Sequence, residues 1–245
     1  MQVVKENKIK CLFVCLSLVL LIAVIAVAAN SGSSPVKRQL EIPPEPNAAA
    51  RTYALLAGVP QHGPVLGYRK APVTLQFFGD LQCIDSRRVM LGALPFLIRH
   101  WVREGKLRIR FRSIETDTRD AGGWQEFREQ QTAAIAAGKQ GKLWNFIDVF
   151  YREQGPEFTG YVDDAFLNRI AVDAGLNLQR WSQDRVPARE AGLRLIEADE
   201  AVAVASRLES TPSFTIGRTG GPARQLRHFS WQESRVFDEA IKELL

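Results

Sequence analysis

Residues 73–86 read VTLQFFGDLQCIDS. Val73 to Phe78 is a short apolar, aromatic-rich run bounded by Pro72 and Gly79, which predicts a buried strand. Gly79-Asp80 breaks that run, and Cys83 follows at the head of a helical pattern. Unpaired backbone N–H groups and the helix dipole favour negative charge at such a place, so the position predicts a stabilised, reactive thiolate. An inert buried cysteine fits the same stretch, because free Cys is among the most buried residue types.

Beyond Cys83, the residues Val89, Met90, Leu94, Leu97, Ile98, Trp101 and Val102 recur at helical spacing. They predict one long helix, kinked at Pro95 and ended by Gly105. Leu107 to Ile114 begins with strict alternation: Leu107, Ile109 and Phe111 on one face, Arg108, Arg110 and Arg112 on the other. That pattern predicts a strand with one wet face, as at a sheet edge. The three arginines read first as a solvated face and only second as an anion site. Helix-period apolar residues then mark 125–139, 143–154, 164–174, 178–185 and 189–207, with Gly and Pro between the segments. Trp144, Ile147, Phe150 and Tyr151 form an aromatic stripe with the spacing of a core face. Ser213 to Ile216 predicts a strand, 217–222 a turn, and Ala223 to Phe229 its hairpin partner. Ser230-Trp-Gln-Glu233 has the form of a capping box opening the last helix. Strand, helix, strand, helices, strand, strand, helix is the order of an α/β layer architecture with a helical insertion.

Toward the N-terminus, residues 11–29 (CLFVCLSLVLLIAVIAVAA) are almost wholly apolar and carry no charge. Nineteen residues at 1.5 Å each span roughly the ~30 Å hydrocarbon core. The lysines in 1–10 predict a cytoplasmic tail, with the remainder on the far side of the membrane. Ala26-Val27-Ala28 resembles a signal-cleavage site, but the apolar run is long for a signal peptide, which favours a retained anchor. Residues 30–65 read as linker and lead-in, semi-extended through Pro43, Pro44 and Pro46, with a short helix at 51–58. The formal charge of +5 on 245 residues is modest and scattered, which argues against a nucleic-acid partner.

The stretch LGYRKAPVTLQFFGDLQCIDSRRVMLGALPFLIRHWVREGKLRIRFR is similar to the core of DsbA-like thioredoxin-fold proteins. The resemblance continues through AAIAAGKQGKLWNFIDVFY, which resembles that family's inserted helical subdomain, and through Ser210-Thr211-Pro212-Ser213-Phe214 before the third core strand. It covers residues 66–245 and implies an α/β thioredoxin-like fold. A helical insertion over about 123–207 separates the second and third core strands, and one N-terminal transmembrane helix precedes the domain. It also implies thiol–disulfide exchange with Cys83 as the attacking sulfur, through a mixed disulfide. The Thr211–Pro212 bond would be cis, with Pro212 beside Cys83 and the Thr211 backbone holding the substrate strand.

Two departures from the family pattern bear on this. The second cysteine of the family's Cys-x-x-Cys pair is Ser86 here, and the buried acid often found six residues before the first cysteine is Phe77. Cys11 and Cys15 lie within the apolar run, so Cys83 has no resolving thiol in this chain and cannot cycle as an intramolecular dithiol. On a helix Ser86 falls three residues on from Cys83, where its hydroxyl could hydrogen-bond a thiolate. Arg87 could add a favourable charge, while Asp85 points elsewhere. The first reading is therefore a membrane-anchored, extracytoplasmic exchange protein of monothiol type, with catalytic Cys83 and Ser86 and substrate-binding Thr211 and Pro212. Its partners are exported cysteine-containing proteins or peptides and an external thiol reductant or redox partner. The second is a non-catalytic binding module on a degenerate thioredoxin fold. No cofactor is expected. None of His62, His100 and His228 falls where it would sit beside Cys83, and no Cys/His pair has zinc-ligand spacing.

Overall fold

The structure, a computed structural model, describes residues 45–121 and 123–245. The tail at 1–10, the apolar run 11–29 and the linker up to residue 44 lie outside the described residues. Within them, no helix is long and apolar enough to cross a membrane.

Among the described residues six strands form one mixed sheet: β1 (Gln61–His62), β2 (Val65–Leu66), β3 (Val73–Gly79), β4 (Leu107–Ser113), β5 (Ser213–Arg218) and β6 (Ala223–Leu226). Their order across the sheet is β1-β2-β4-β3-β5-β6. Only β3 and β4 run parallel; the other pairs are antiparallel. The register sets Phe77 opposite Phe111 on one side and Phe214 on the other.

Among the described residues, nine α-helices follow in chain order. They are α1 (Ala48–Leu56), α2 (Ile84–Leu91), α3 (Ala93–Leu97), α4 (Asp117–Ala121), α5 (Gly123–Gly138), α6 (Leu143–Arg152), α7 (Asp164–Asp173) and α8 (Leu178–Ala205); α9 (Arg235–Leu244) closes the chain. A π-helical turn, Ile98–Val102, continues α3. Helices α4 to α8 lie between β4 and β5, so a helical segment separates the second and third core strands. The result is a thioredoxin-like fold.

The main core lies on the sheet face carrying Val73, Leu75, Phe77, Ile109 and Phe111. Helix α6 covers it with the aromatic stripe: Trp144 meets Phe111 edge-on (6.3 Å between centroids) and Tyr151 stacks on Phe77 (6.5 Å). Helix α9 closes the other flank through Phe237 against Phe214 (4.9 Å). Each such ring burial is worth on the order of 2–3 kcal/mol. The opposite face is polar along Thr74, Gln76 and the alternate arginines of β4, with a small satellite cluster of Phe78, Ile114, Ala203 and Leu208 at one end.

Several expectations need correction. The helix after Cys83 breaks at Gly92, not at Pro95. A Cβ at residue 92 would lie 2.4 Å from the Trp231 carbonyl oxygen, which accepts from the Ala93 N–H (3.0 Å). Only glycine permits that backbone approach, whereas Pro95 sits in the first turn of α3, where its missing N–H costs little. Strand β4 is interior rather than an edge, because the lead-in forms a two-strand hairpin whose β2 pairs with it (Val65↔Arg110, Leu66↔Ile109). Residues 178–205 are one helix through Pro187. The ~3 kcal/mol cost of an internal proline is offset by anchors such as the Trp181 indole N–H on Ala133 O (3.0 Å). Ser230 does not open the last helix: its Oγ accepts from Gln232 N (3.3 Å) and Glu233 N (3.2 Å), and α9 begins a turn later at Arg235.

Candidate active site at the end of β3

Strand β3 ends at Gly79, and after three intervening residues the chain enters α2 with Cys83 as its N-cap in an extended conformation. The Thr211–Pro212 bond, immediately before β5, is cis. Pairing of β5 with β3 carries this peptide to the mouth of α2, and the Cys83 thiol donates to the Thr211 carbonyl (Sγ–O 3.4 Å). Cys83 and the Thr211 carbonyl, 128 positions apart in sequence, thus meet. Ser86 is also close: its backbone N–H favours the thiolate of Cys83, and its buried hydroxyl neighbours the Tyr151 phenol.

The electrostatics overturn one expectation. Cys83 is 3% exposed, and its pKa is pushed up from an ordinary 9.0 to about 12. Burial is the largest cause, followed by the Asp117 carboxylate; Thr211 and the Ser86 N–H pull the other way without prevailing. Desolvation and a like charge outweigh the helix terminus, whose dipole is worth only about 0.3–1 kcal/mol. The thiol is therefore neutral at physiological pH. Arg87, read as a possible stabilising charge, is buried and donates to the Arg152 carbonyl (3.3 Å).

Asp80, Thr116, Asp117, Thr118 and Glu157, none of them expected at the site from the sequence, shape it. Asp80 is fully buried and accepts from the Thr116 N–H (3.0 Å), the Thr118 N–H (2.9 Å), the Thr118 hydroxyl, the Gln82 N–H (3.1 Å) and Gln130 Nε2 (3.1 Å). Burial raises its pKa despite these bonds. A buried acid therefore exists here, three residues before the cysteine rather than six; Phe77, in the expected position, stacks on Phe214 (5.1 Å). Asp80 pins the 116–118 turn, which in turn links Thr116 to Thr211 (Oγ1–Oγ1 2.6 Å) and holds Asp117 near the sulfur. Glu157 accepts from the Ile84 N–H (2.7 Å), capping α2 from a distant loop. Its pKa is raised, chiefly by burial.

The sulfur of Cys83 and carboxylate oxygens of Asp117 and Glu157 lie within 4.8 Å of one another. A thiolate and two carboxylates are donors a borderline cation such as zinc accepts, though binding would have to displace the thiol proton. Ligand-spacing rules miss such a set because its members come from three separate segments. Only Asp80 carried a sequence signal, as an acid beside Cys83 where the strand breaks.

A family model described as Thioredoxin matches residues 60–222. Similar solved structures include BdbD from Bacillus subtilis in its oxidised form, 17% identical with a TM-score of 0.61, covering 78% of this chain and 97% of that one. Wolbachia pipientis alpha-DsbA1 is 19% identical with a TM-score of 0.57, covering 74% and 89%. MdbA, a thiol-disulfide oxidoreductase from Corynebacterium diphtheriae, is 16% identical with a TM-score of 0.54, covering 76% and 93%. A comparison with curated protein sequences gives no match. Matched over most of its length by that family model, and sharing these folds, the chain belongs to the thioredoxin family and has the fold of its DsbA-like members.

Proposed function

We propose that this chain is a membrane-linked, extracytoplasmic DsbA-type protein that performs thiol–disulfide exchange through the single Cys83, forming long-lived mixed disulfides with exported cysteine-containing proteins. The observation that carries this reading is the contact of Cys83 Sγ with the Thr211 carbonyl, 3.4 Å at the mouth of α2. A client strand laid along Thr211 would bring its own sulfur to that thiol. The apolar run 11–29 supports the membrane link and the extracytoplasmic side.

In the exchange step the Cys83 thiolate attacks one sulfur of a client disulfide. The client S–S bond breaks, a Cys83–client S–S bond forms, and the second client sulfur leaves and takes up a proton. No net oxidation occurs. A high-pKa thiol is a slow attacker and also a poor leaving group, so the adduct forms slowly and persists until an outside thiol resolves it. Holding a client suits such a site better than rapid turnover.

The second reading, a binding module with an idle cysteine, is favoured by the burial and the raised pKa of Cys83. Trapping separates the two. The full chain and its Cys83→Ala variant are expressed in cells, quenched with acid and alkylated, and disulfide-linked partners are counted. Exchange predicts client adducts on the parent alone; equal capture by Cys83→Ala rules it out.

A further inference from the structure

The polar face of the sheet holds a cation with no counter-charge of its own. Arg108, Arg110 and Arg112 project there from alternate positions of β4, successive members roughly 6.6 Å apart along the strand. The outer two are engaged. Arg108 donates to Thr74 Oγ1 (2.8 Å) and to Arg69 O (3.1 Å). Arg112 donates to Gln76 Oε1 (2.5 Å) and pairs with Asp199 (2.6 Å). Arg110, between them, has a buried Nε with no hydrogen-bond partner among the described residues.

Two cavities flank this residue, of about 310 Å³ on the side of His62 and Arg69, and about 180 Å³ on the side of Arg112 and Arg218. Both are lined by Thr74, Arg108 and Arg110, and among the described residues no carboxylate lines either one. Asp199 is the carboxylate that faces Arg110, and its two oxygens are committed to Arg112 and the Ser113 N–H (3.0 Å). Helix α8 roofs this face, placing Leu195 in the larger cavity's wall, so the arginines are not on an open solvated surface. Burial and the two flanking arginines disfavour the charge on Arg110.

A half-buried guanidinium left unpaired between two others costs stability unless an anion meets it. We infer that Arg110, with Arg108 and the cavities beside it, forms a binding site for a small phosphate-class dianion. Two negative charges answer the repulsion among three arginines better than one carboxylate does. The planar guanidinium edge of Arg110 is the donor that takes two oxyanion oxygens at once. The larger cavity, about 310 Å³ and walled by Leu195 of α8, admits a free anion rather than a lipid surface.

The experiment reads Tm of the full chain in zwitterionic buffer at constant ionic strength, titrated with inorganic phosphate and, separately, with sodium chloride. With phosphate tenfold above its dissociation constant, Tm rises by about 3–6 °C. Arg110→Gln abolishes this rise, weakening phosphate by about tenfold or more, and itself raises Tm when phosphate is absent. Arg110→Lys keeps a reduced response, and Arg194→Gln, on the exposed face of α8, keeps it in full. The inference is overturned if chloride reproduces the rise, if Arg110→Gln responds like the parent, or if Arg110→Gln lowers Tm without phosphate. Binding to phosphatidylglycerol vesicles without binding of free phosphate also overturns it. None of these readouts depends on Cys83.

Discussion

Replacing Asp117 by Asn should make Cys83 a better nucleophile. The rise of the thiol pKa from 9.0 to about 12 corresponds to about 4 kcal/mol against the thiolate. Asp117 acts within 4.8 Å of the sulfur, so its repulsion is at least about 0.9 kcal/mol in a water-like medium. Burial is the larger cause of the rise; at an effective dielectric constant of about 40, between water and the protein interior, the Asp117 repulsion is about 2 kcal/mol. Removing that charge multiplies the thiolate population by roughly four to thirty. A less basic thiolate is also a weaker nucleophile, with a Brønsted slope of about 0.4–0.5, so the net gain in rate is about two- to eightfold. The assay is exchange of the full chain with a small disulfide at pH 8, followed by peptide-mapped mass spectrometry at Cys83. The parent should react about fortyfold slower than a thiol of ordinary pKa, because a thousandfold deficit of thiolate is only partly recovered through nucleophilicity. If Asp117→Asn reacts more slowly, Asp117 is the base that takes the thiol proton, and the repulsion argument fails. No change in rate refutes it equally.

Three other outcomes follow from the same geometry. Because the folded-state pKa of Cys83 is raised, its contribution to stability is complete below pH 9 and is lost as pH climbs toward about 12. Over that range the stability advantage of the parent over Cys83→Ser should shrink by about 1.4 kcal/mol per pH unit in urea titrations; a constant difference contradicts the raised pKa. Asp80→Ala strands the buried donors of Thr116, Thr118 and Gln82, costing about 3 kcal/mol or more, and frees the 116–118 turn, so Cys83 alkylation should accelerate. An unchanged alkylation rate would mean that the turn does not seal the sulfur. Ser86→Cys should restore a dithiol at the start of α2, seen as a two-hydrogen mass loss on oxidation; a folded variant that stays reduced would show that the two positions do not face each other.

The alternation of β4 and the apolar run of β3 were legible in the sequence because side-chain direction follows strand geometry directly. The aromatic stripe of α6 was legible for the analogous reason, 3.6-residue periodicity. What escaped was set by tertiary contact. Gly92 breaks a helix only because Trp231, 139 positions later in the numbering, brings its carbonyl against residue 92. Pro187 stays helical because α5 holds the segment on either side of it, through Trp181 and Arg185 before it and Arg189 after it. At the site, the sulfur and the Thr-Pro pair could be named from the family resemblance. The thiol's ionisation could not, because it depends on burial and on a carboxylate delivered by the 116–118 turn. The local rule that helix N-termini favour thiolates was sound, yet it carried the smaller energy.

The most direct measurement is the fate of the Cys83 sulfur when the folded full chain is incubated at pH 9 with a disulfide-linked peptide. Peptide-mapped mass spectrometry should show one peptide adduct on Cys83, formed slowly and lasting until an external thiol is added. A Cys83 left as free thiol, under conditions that convert it fully in the urea-unfolded chain, would contradict the proposal.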